Sequence, residues 1–236
     1  MWDNAALLRN IANALTVVSV CAVLYGTAYY VMHLPGLFPL HSVRLSAAPQ
    51  RVDAPEVLQV VRNEVHGNFF TVDIERLRAA LEQLPWVRSV NIRREFPNRL
   101  TVQLEEHQTL ARWNGTALVN RQGEVFVAET AQVLPGFIGQ EGYSQEVAQY
   151  YAQFSGQLAG LNLQVTQLAQ SPRHAWQLHL SNGMVLELGS EDMQQRLDRF
   201  VAVYPYSLAS MQDLVKYVDL RYRNGFAVQL KHGEAA

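Results

Sequence analysis

The sequence contains a single cysteine, Cys21. That excludes an intrachain disulfide framework and a cysteine-built zinc site. Charge is also scarce: 17% of the 236 residues are charged, against about 25% in a typical soluble chain. Neither sign dominates, with a net charge of −2 and a pI near 6.4. Such a balance argues against nucleic acid as the main partner, because phosphate contacts require a basic face. Aromatic residues at 10%, with so little charge, argue against disorder. There is no long internal repeat, low-complexity run or long linker. A P-loop, a G-x-G-x-x-G after a strand, and the H-E-x-x-H, G-x-S-x-G and S-x-x-K signatures are all missing.

The apolar excess is concentrated at the N-terminus. From Asn10 to Met32 there is no Asp, Glu, Lys or Arg. About 20 apolar helical residues cross a ~30 Å hydrocarbon core, so residues 10–32 are predicted to be a transmembrane helix. Tyr25, Tyr29 and Tyr30 stand where an interfacial aromatic belt would lie. The helix should stop by His33-Leu34-Pro35-Gly36. A cleaved signal peptide would have a shorter apolar region with small residues close behind; here the nearest such cluster is Ser46-Ala47-Ala48. The tail 1–9 carries the α-amino group, Asp3 and Arg9, a weak positive-inside signal. It is expected to be cytoplasmic, with the remaining residues exported.

Beyond the anchor, two units are expected. Residues 40–107 read as strand (Ser42–Ser46), helix, helix, strand (Val87–Arg93), strand (Leu100–Glu105). Asp53 with Glu56 forms a candidate capping box, and Val57, Val61 and Val65 share a helical face. Asp73 caps a second helix with the stripe Ile74, Leu77, Leu81 and Leu84. Residues 108–230 are richer in strands. Turn signals at Asn120–Gly123, Asn182-Gly183 and Asn224-Gly225 sit between alternating segments. Two helices are expected, one from Tyr143 to Leu158 and one that Asp192 caps and Pro205 ends. The tail 231–236 is expected to fray.

Catalytic constellations are weak. Gly136, Gly139 and Gly142 read as a turn after Pro135. His174 and His179 fall on opposite strand faces, as do Glu105 and Glu106, and Ser181 belongs to hairpin turn chemistry. The better candidate is an interaction surface at the C-terminal hairpin. An edge strand offers unpaired backbone groups to a partner strand. By alternation, Tyr217, Asp219 and Arg221 share a polar face, and Val218, Leu220 and Tyr222 share the other.

Leu84-Pro85-Trp86-Val87, Val90, Arg93-Arg94, Phe96-Pro97-Asn98, Leu100-Thr101-Val102 and Glu106 together resemble the FtsQ/DivIB family of bacterial cell-division proteins. The likeness continues through Ala111-Arg112-Trp113-Asn114, Val133-Leu134-Pro135, Gly189, Arg196-Leu197, Arg199-Phe200 and Tyr217–Tyr222, and so covers nearly the whole chain. The resemblance implies an α+β chain: a transmembrane helix, a small POTRA-type α/β domain over residues 40–107, and a strand-rich β domain with flanking helices over 108–230. It further implies an inner-membrane scaffold without enzymatic activity or cofactor, which binds FtsB and FtsL and links early and late division proteins. The partner contact then falls on Arg221, Tyr222, Asn224, Gly225, Phe226 and Leu230, with Tyr217 beside them on the strand. An acidic FtsB side chain would meet Arg221. Three positions depart from the family pattern: Thr109 stands where proline is frequent, Ser190 where a basic residue occurs, and Leu230 where a relative has tryptophan. The competing readings are a membrane-anchored cell-wall enzyme and a POTRA-type chaperone.

Overall fold

The computed structural model describes residues 5–34 and 36–231. Asp3, Pro35 and the tail beyond Lys231 lie outside the described residues. The chain forms two compact units that divide between Glu106 and His107.

The first unit begins with helix α1 (Ala5–His33). Its segment Leu8–His33 holds an 18-residue stretch with a mean hydropathy of 1.7, no part of that stretch buried within the protein, and it is long and apolar enough to cross a membrane. Its two threonine hydroxyls donate back to the helix, Thr16 to Ala12 O and Thr27 to Val23 O, both at 2.8 Å. Neither is left unpaired, which is a condition for lying in lipid.

After the helix come strand β1 (Ser42–Leu45), helices α2 (Ala54–Glu64) and α3 (Ile74–Leu81), and strands β2 (Val87–Glu95) and β3 (Arg99–Glu106). The sheet order is β1-β3-β2, with β1 parallel and β2 antiparallel to β3. Valines 57 and 61 of α2 and leucines 77 and 81 of α3 turn inward, as their spacing predicts, onto Leu100 and Val102. Asp73 caps α3 by accepting the N–H of Arg76 at 3.0 Å. At α2 the capping box does not form. Asp53 occupies the N-cap, but its side chain makes no capping bond, and only its carbonyl receives Val57 N–H.

Glu106 closes the unit. Its carboxylate accepts backbone N–H groups from Gln50, Arg51 and Val52 at 2.9–3.2 Å. Burial works to raise this carboxyl, but the three N–H donors hold it below the ordinary carboxylate range. Glu105 instead pairs with Arg88 and Ser89. The two adjacent glutamates are therefore each engaged structurally, in different places.

The second unit is one nine-stranded sheet carrying two helices. Strands β4 (Thr109–Trp113), β5 (Ala117–Asn120) and β6 (Val125–Phe126) form a meander. Then come β7 (Gly136–Ile138), α4 (Ser144–Leu158), β8 (Val165–Gln170), β9 (Trp176–Leu180), β10 (Val185–Gly189), α5 (Met193–Ser207), β11 (Val215–Asp219) and β12 (Ala227–Leu230). The order across the sheet is β12-β11-β10-β9-β8-β7-β4-β5-β6. Helices α4 and α5 serve as crossovers between the parallel pairs β7–β8 and β10–β11. They pack on the sheet around Phe137, Phe154, Trp176, Leu178, Leu197 and Phe200.

Three expectations change here. Gly136 starts a strand rather than a turn, because its segment is drawn between β4 and β8 with parallel pairing to both. Pro205 does not end α5, which runs on to Ser207; proline removes one N–H, and Leu208 N–H still reaches Tyr204 O at 3.0 Å. Asp192 precedes α5 with left-handed φ of 48° and makes no side-chain cap.

Candidate partner-binding edge

Tyr217 lies within β11, but the strand ends at Asp219, so Arg221 and Tyr222 belong to the connection to β12 rather than to a strand continuing through residue 222. Arg223 and Asn224 form the turn of that connection; Asn224 and Gly225 are exposed, while Phe226 is half-buried and packs against the core. Leu230 ends β12. The registers are Asp219↔Ala227, Val218↔Val228, Tyr217↔Gln229 and Val215↔Leu230. The N–H of Lys231 donates to Leu214 O at 2.7 Å. By strand alternation Gln229 and Ala227 also turn their N–H groups toward β11, and Val228 and Leu230 turn theirs away. All four residues of β12 are exposed, and among the described residues no strand lies on its far side.

The polar face of β11 is already paired within the chain. Asp219 is buried and bound twice by Arg221, from Nε to Oδ1 at 2.8 Å and from Nη2 to Oδ2 at 2.7 Å. These hydrogen bonds hold the Asp219 carboxyl below its usual range and push the guanidinium pKa further up. A guanidinium has five donors, and the Arg221 side chain remains 56% exposed, so it can hold Asp219 and a second carboxylate together. Burial raises the Tyr217 phenol, and the Glu187 and Asp219 carboxylates add to the rise; its hydroxyl donates to Glu187 at 3.4 Å. Tyr222 does not share the fate of Val218 and Leu220: it is 58% exposed while they are core residues.

Two features beneath this edge were not picked out as site residues by sequence reasoning. Arg199 on α5 donates to the carbonyls of Tyr222 (3.1 Å) and Arg223, and so sets the path of the connection. Arg196, one turn earlier, donates to Leu188 O. Both sit three residues apart on the face of α5 beside its buried stripe Leu197, Phe200 and Tyr204; that spacing was the available signal. With Arg223, Asn224 and Phe226 they line a groove of about 400 Å³ next to the edge.

Gly189 makes this arrangement possible. It stands at a bulge between β10 and β9 with φ of 73°. A Cβ there would come within 2.8 Å of Arg196 Nη1 and 3.2 Å of Arg221 Cγ. The stem of Arg221 lies across a position that only glycine leaves clear.

The other candidates do not converge. His179 meets Gln177 on β9, His174 contacts Tyr143, and Ser181 bonds to Gln164. Among the described residues no group of three or more His, Cys, Asp or Glu side chains could hold a metal ion.

Residues 38–107 match the family model described as POTRA domain, FtsQ-type, and residues 111–221 match the one described as Cell division protein FtsQ/DivIB, C-terminal. The chain belongs to the FtsQ/DivIB family. Proteins named Cell division protein FtsQ are similar to it, and the three that follow match along almost their full length. The one from Nitrosospira multiformis is 40% identical, covering 97% of this chain and 99% of its own. The one from Burkholderia pseudomallei is 37% identical (97% and 94%), and that from Bordetella pertussis 36% identical (98% and 93%). The POTRA match falls on the first unit, and the FtsQ/DivIB C-terminal match spans β4 to the start of the site connection.

Proposed function

We propose that this protein is a bitopic inner-membrane scaffold of cell division, without catalytic activity of its own, whose β12 edge receives a strand of FtsB, with FtsL in the same assembly. In this reading α1 spans the membrane, the short N-terminal tail is cytoplasmic, and both folded units are periplasmic at the septum, linking early and late division proteins. The single observation that carries it is the open β12 edge, uncharged and with all four residues exposed, beside a groove lined by Arg196, Arg199 and Arg223. Backbone pairing to Val228 and Leu230 would supply affinity, and side-chain contacts would supply specificity. Arg221 offers charge-assisted bonds to an acidic side chain, and Tyr222 a large exposed ring; both residue types are enriched among interface hot spots.

The test is calorimetric titration of the full chain in detergent with the periplasmic part of FtsB. Wild-type protein is expected to bind, and Arg221→Ala or Tyr222→Ala each to lose about 2 kcal/mol or more, roughly 30-fold. Unchanged affinity in both variants would move the contact elsewhere on the second unit.

A further inference from the structure

The first unit carries a feature that partner binding at β12 does not use. The side-chain amide of Asn68 is buried and donates to the carbonyls of Met32 (2.7 Å) and Leu34 (3.2 Å). These are carbonyls at the C-terminal end of α1, where a helix leaves acceptors unpaired. The Asn68 Oδ1 accepts the N–H groups of Phe70 and Thr71, and Phe69 N–H donates to Phe38 O at 3.0 Å. The loop of residues 67–71 is thereby tied both to the end of α1 and to the segment that follows it.

Aromatic rings gather at that tie. Phe38 meets Phe70 edge-on at 5.1 Å, Phe70 meets Phe69 at 5.1 Å, and Phe69 meets Phe96 at 6.2 Å. Phe69 is buried, but Phe38, Phe70 and Phe96 are 41%, 40% and 76% exposed. Phe96 is at the tip of the β2–β3 hairpin, whose Asn98 carbonyl accepts the His41 N–H. Phe38 has a φ of 59°, a left-handed backbone that an aromatic residue adopts only at a cost. The flanking charges are mostly basic: Arg93, Arg94 and Arg99 against Glu95. Arg94 also braces the loop by donating to Val72 O at 2.9 Å.

We infer that this end of the first unit rests on the bilayer that holds α1, with the rings of Phe38, Phe70 and Phe96 seated in the headgroup layer and the flanking arginines beside anionic lipid phosphates. The inference rests on reading α1 as membrane-spanning. Continuity decides the occupant: the patch is hydrogen-bonded to the last turn of the apolar helix, which places it at the lipid–water boundary, where amphipathic aromatic and basic surfaces partition. The anchor would then orient the first unit rather than merely tether it.

The test uses the full chain in nanodiscs of mixed phosphatidylethanolamine and phosphatidylglycerol, with spin-labelled lipids as quenchers. A fluorophore on native Cys21 reports insertion of the helix. In a Cys21→Ser background, a fluorophore at Glu95→Cys reports one end of β2, a strand of nine residues and so roughly 27 Å long, and one at Gln83→Cys reports the turn that leads into its other end. A shallow quencher is expected to extinguish the label at 95 and spare that at 83. Adding Phe96→Ser is expected to reduce quenching at 95 by about twofold or more, since it removes an apolar anchor; its ring is exposed and lends little to the core. Quenched Cys21 with an unquenched label at 95, or with equal quenching at 95 and 83, would overturn the inference while leaving the anchor intact. Quenching at 95 that survives Phe96→Ser combined with Phe70→Ser would show a tether effect and overturn it too. An unquenched Cys21 would sink the membrane reading itself.

Discussion

The two sheets present very different edges. Strand β2 of the first unit is nine residues long and borders its sheet, yet it carries Arg88, Arg93, Arg94 and Glu95. One of its backbone N–H groups, that of Val90, is already taken by the Glu82 carboxylate at 3.2 Å. Strand β12 of the second unit is four residues long, Ala-Val-Gln-Leu, with no charge and every residue exposed. The opposite edge of that same sheet, β6, is only two residues long. Charge, side-chain capping and shortness are the usual ways of blunting an edge against unwanted pairing. Two of these edges are blunted by such devices, whereas β12 has neither charge nor the extreme shortness of β6. This open edge, with arginines beside it, is what the proposed partner strand would use.

The largest effect that would sharpen this contrast is expected from Gly189→Ala. The new methyl would collide with the Arg221 stem and with Arg196 and would sit at a φ of 73°. Calorimetry should show FtsB binding weakened about tenfold, and denaturant melts a loss of about 1 kcal/mol. A stability loss with binding intact would separate Arg221 from the contact and break the link between edge and anchor.

A smaller effect compares the two units through acid. Asp219 in the second unit and Glu106 in the first both have carboxyl pKa values depressed in the folded state. Each therefore contributes stability that is fully present above its unfolded pKa, near ~4, and is lost as pH falls through the lower folded value. Thermal melts should be nearly flat from about pH 5 to 7 and fall below about pH 4. Asp219→Asn should remove the acid sensitivity of the second unit only, leaving the Glu106-dependent part in the first.

Much of the fold was legible because its signals are local. Asp73 caps α3, the Val57–Val61 and Leu77–Leu81 spacings mark buried faces, and the Asn182-Gly183 turn joins antiparallel strands as expected, while the last hairpin forms with a longer connection, Leu220–Phe226, than its Asn224-Gly225 signal predicts. What was not legible depends on distant neighbours. Gly136 becomes a strand because β4 and β8 flank it, and β1 pairs in parallel with β3 across more than fifty residues. At the site, alternation placed Tyr217, Asp219 and Arg221 on one face. It did not show that Asp219 is buried and already bound to Arg221, or that Arg199 fixes the carbonyls of Tyr222 and Arg223. Those facts arise from α5 and Gly189, which the chain brings up from elsewhere.

The central claim is that a partner strand pairs with the outer edge of β12, and two prolines test it most directly. Val228→Pro removes an N–H that faces away from β11, whereas Gln229→Pro removes one that faces it. The account predicts that Val228→Pro keeps the wild-type melting temperature within a few degrees yet weakens FtsB binding by about tenfold or more, while Gln229→Pro lowers stability as well. Wild-type affinity in a folded Val228→Pro protein would contradict it.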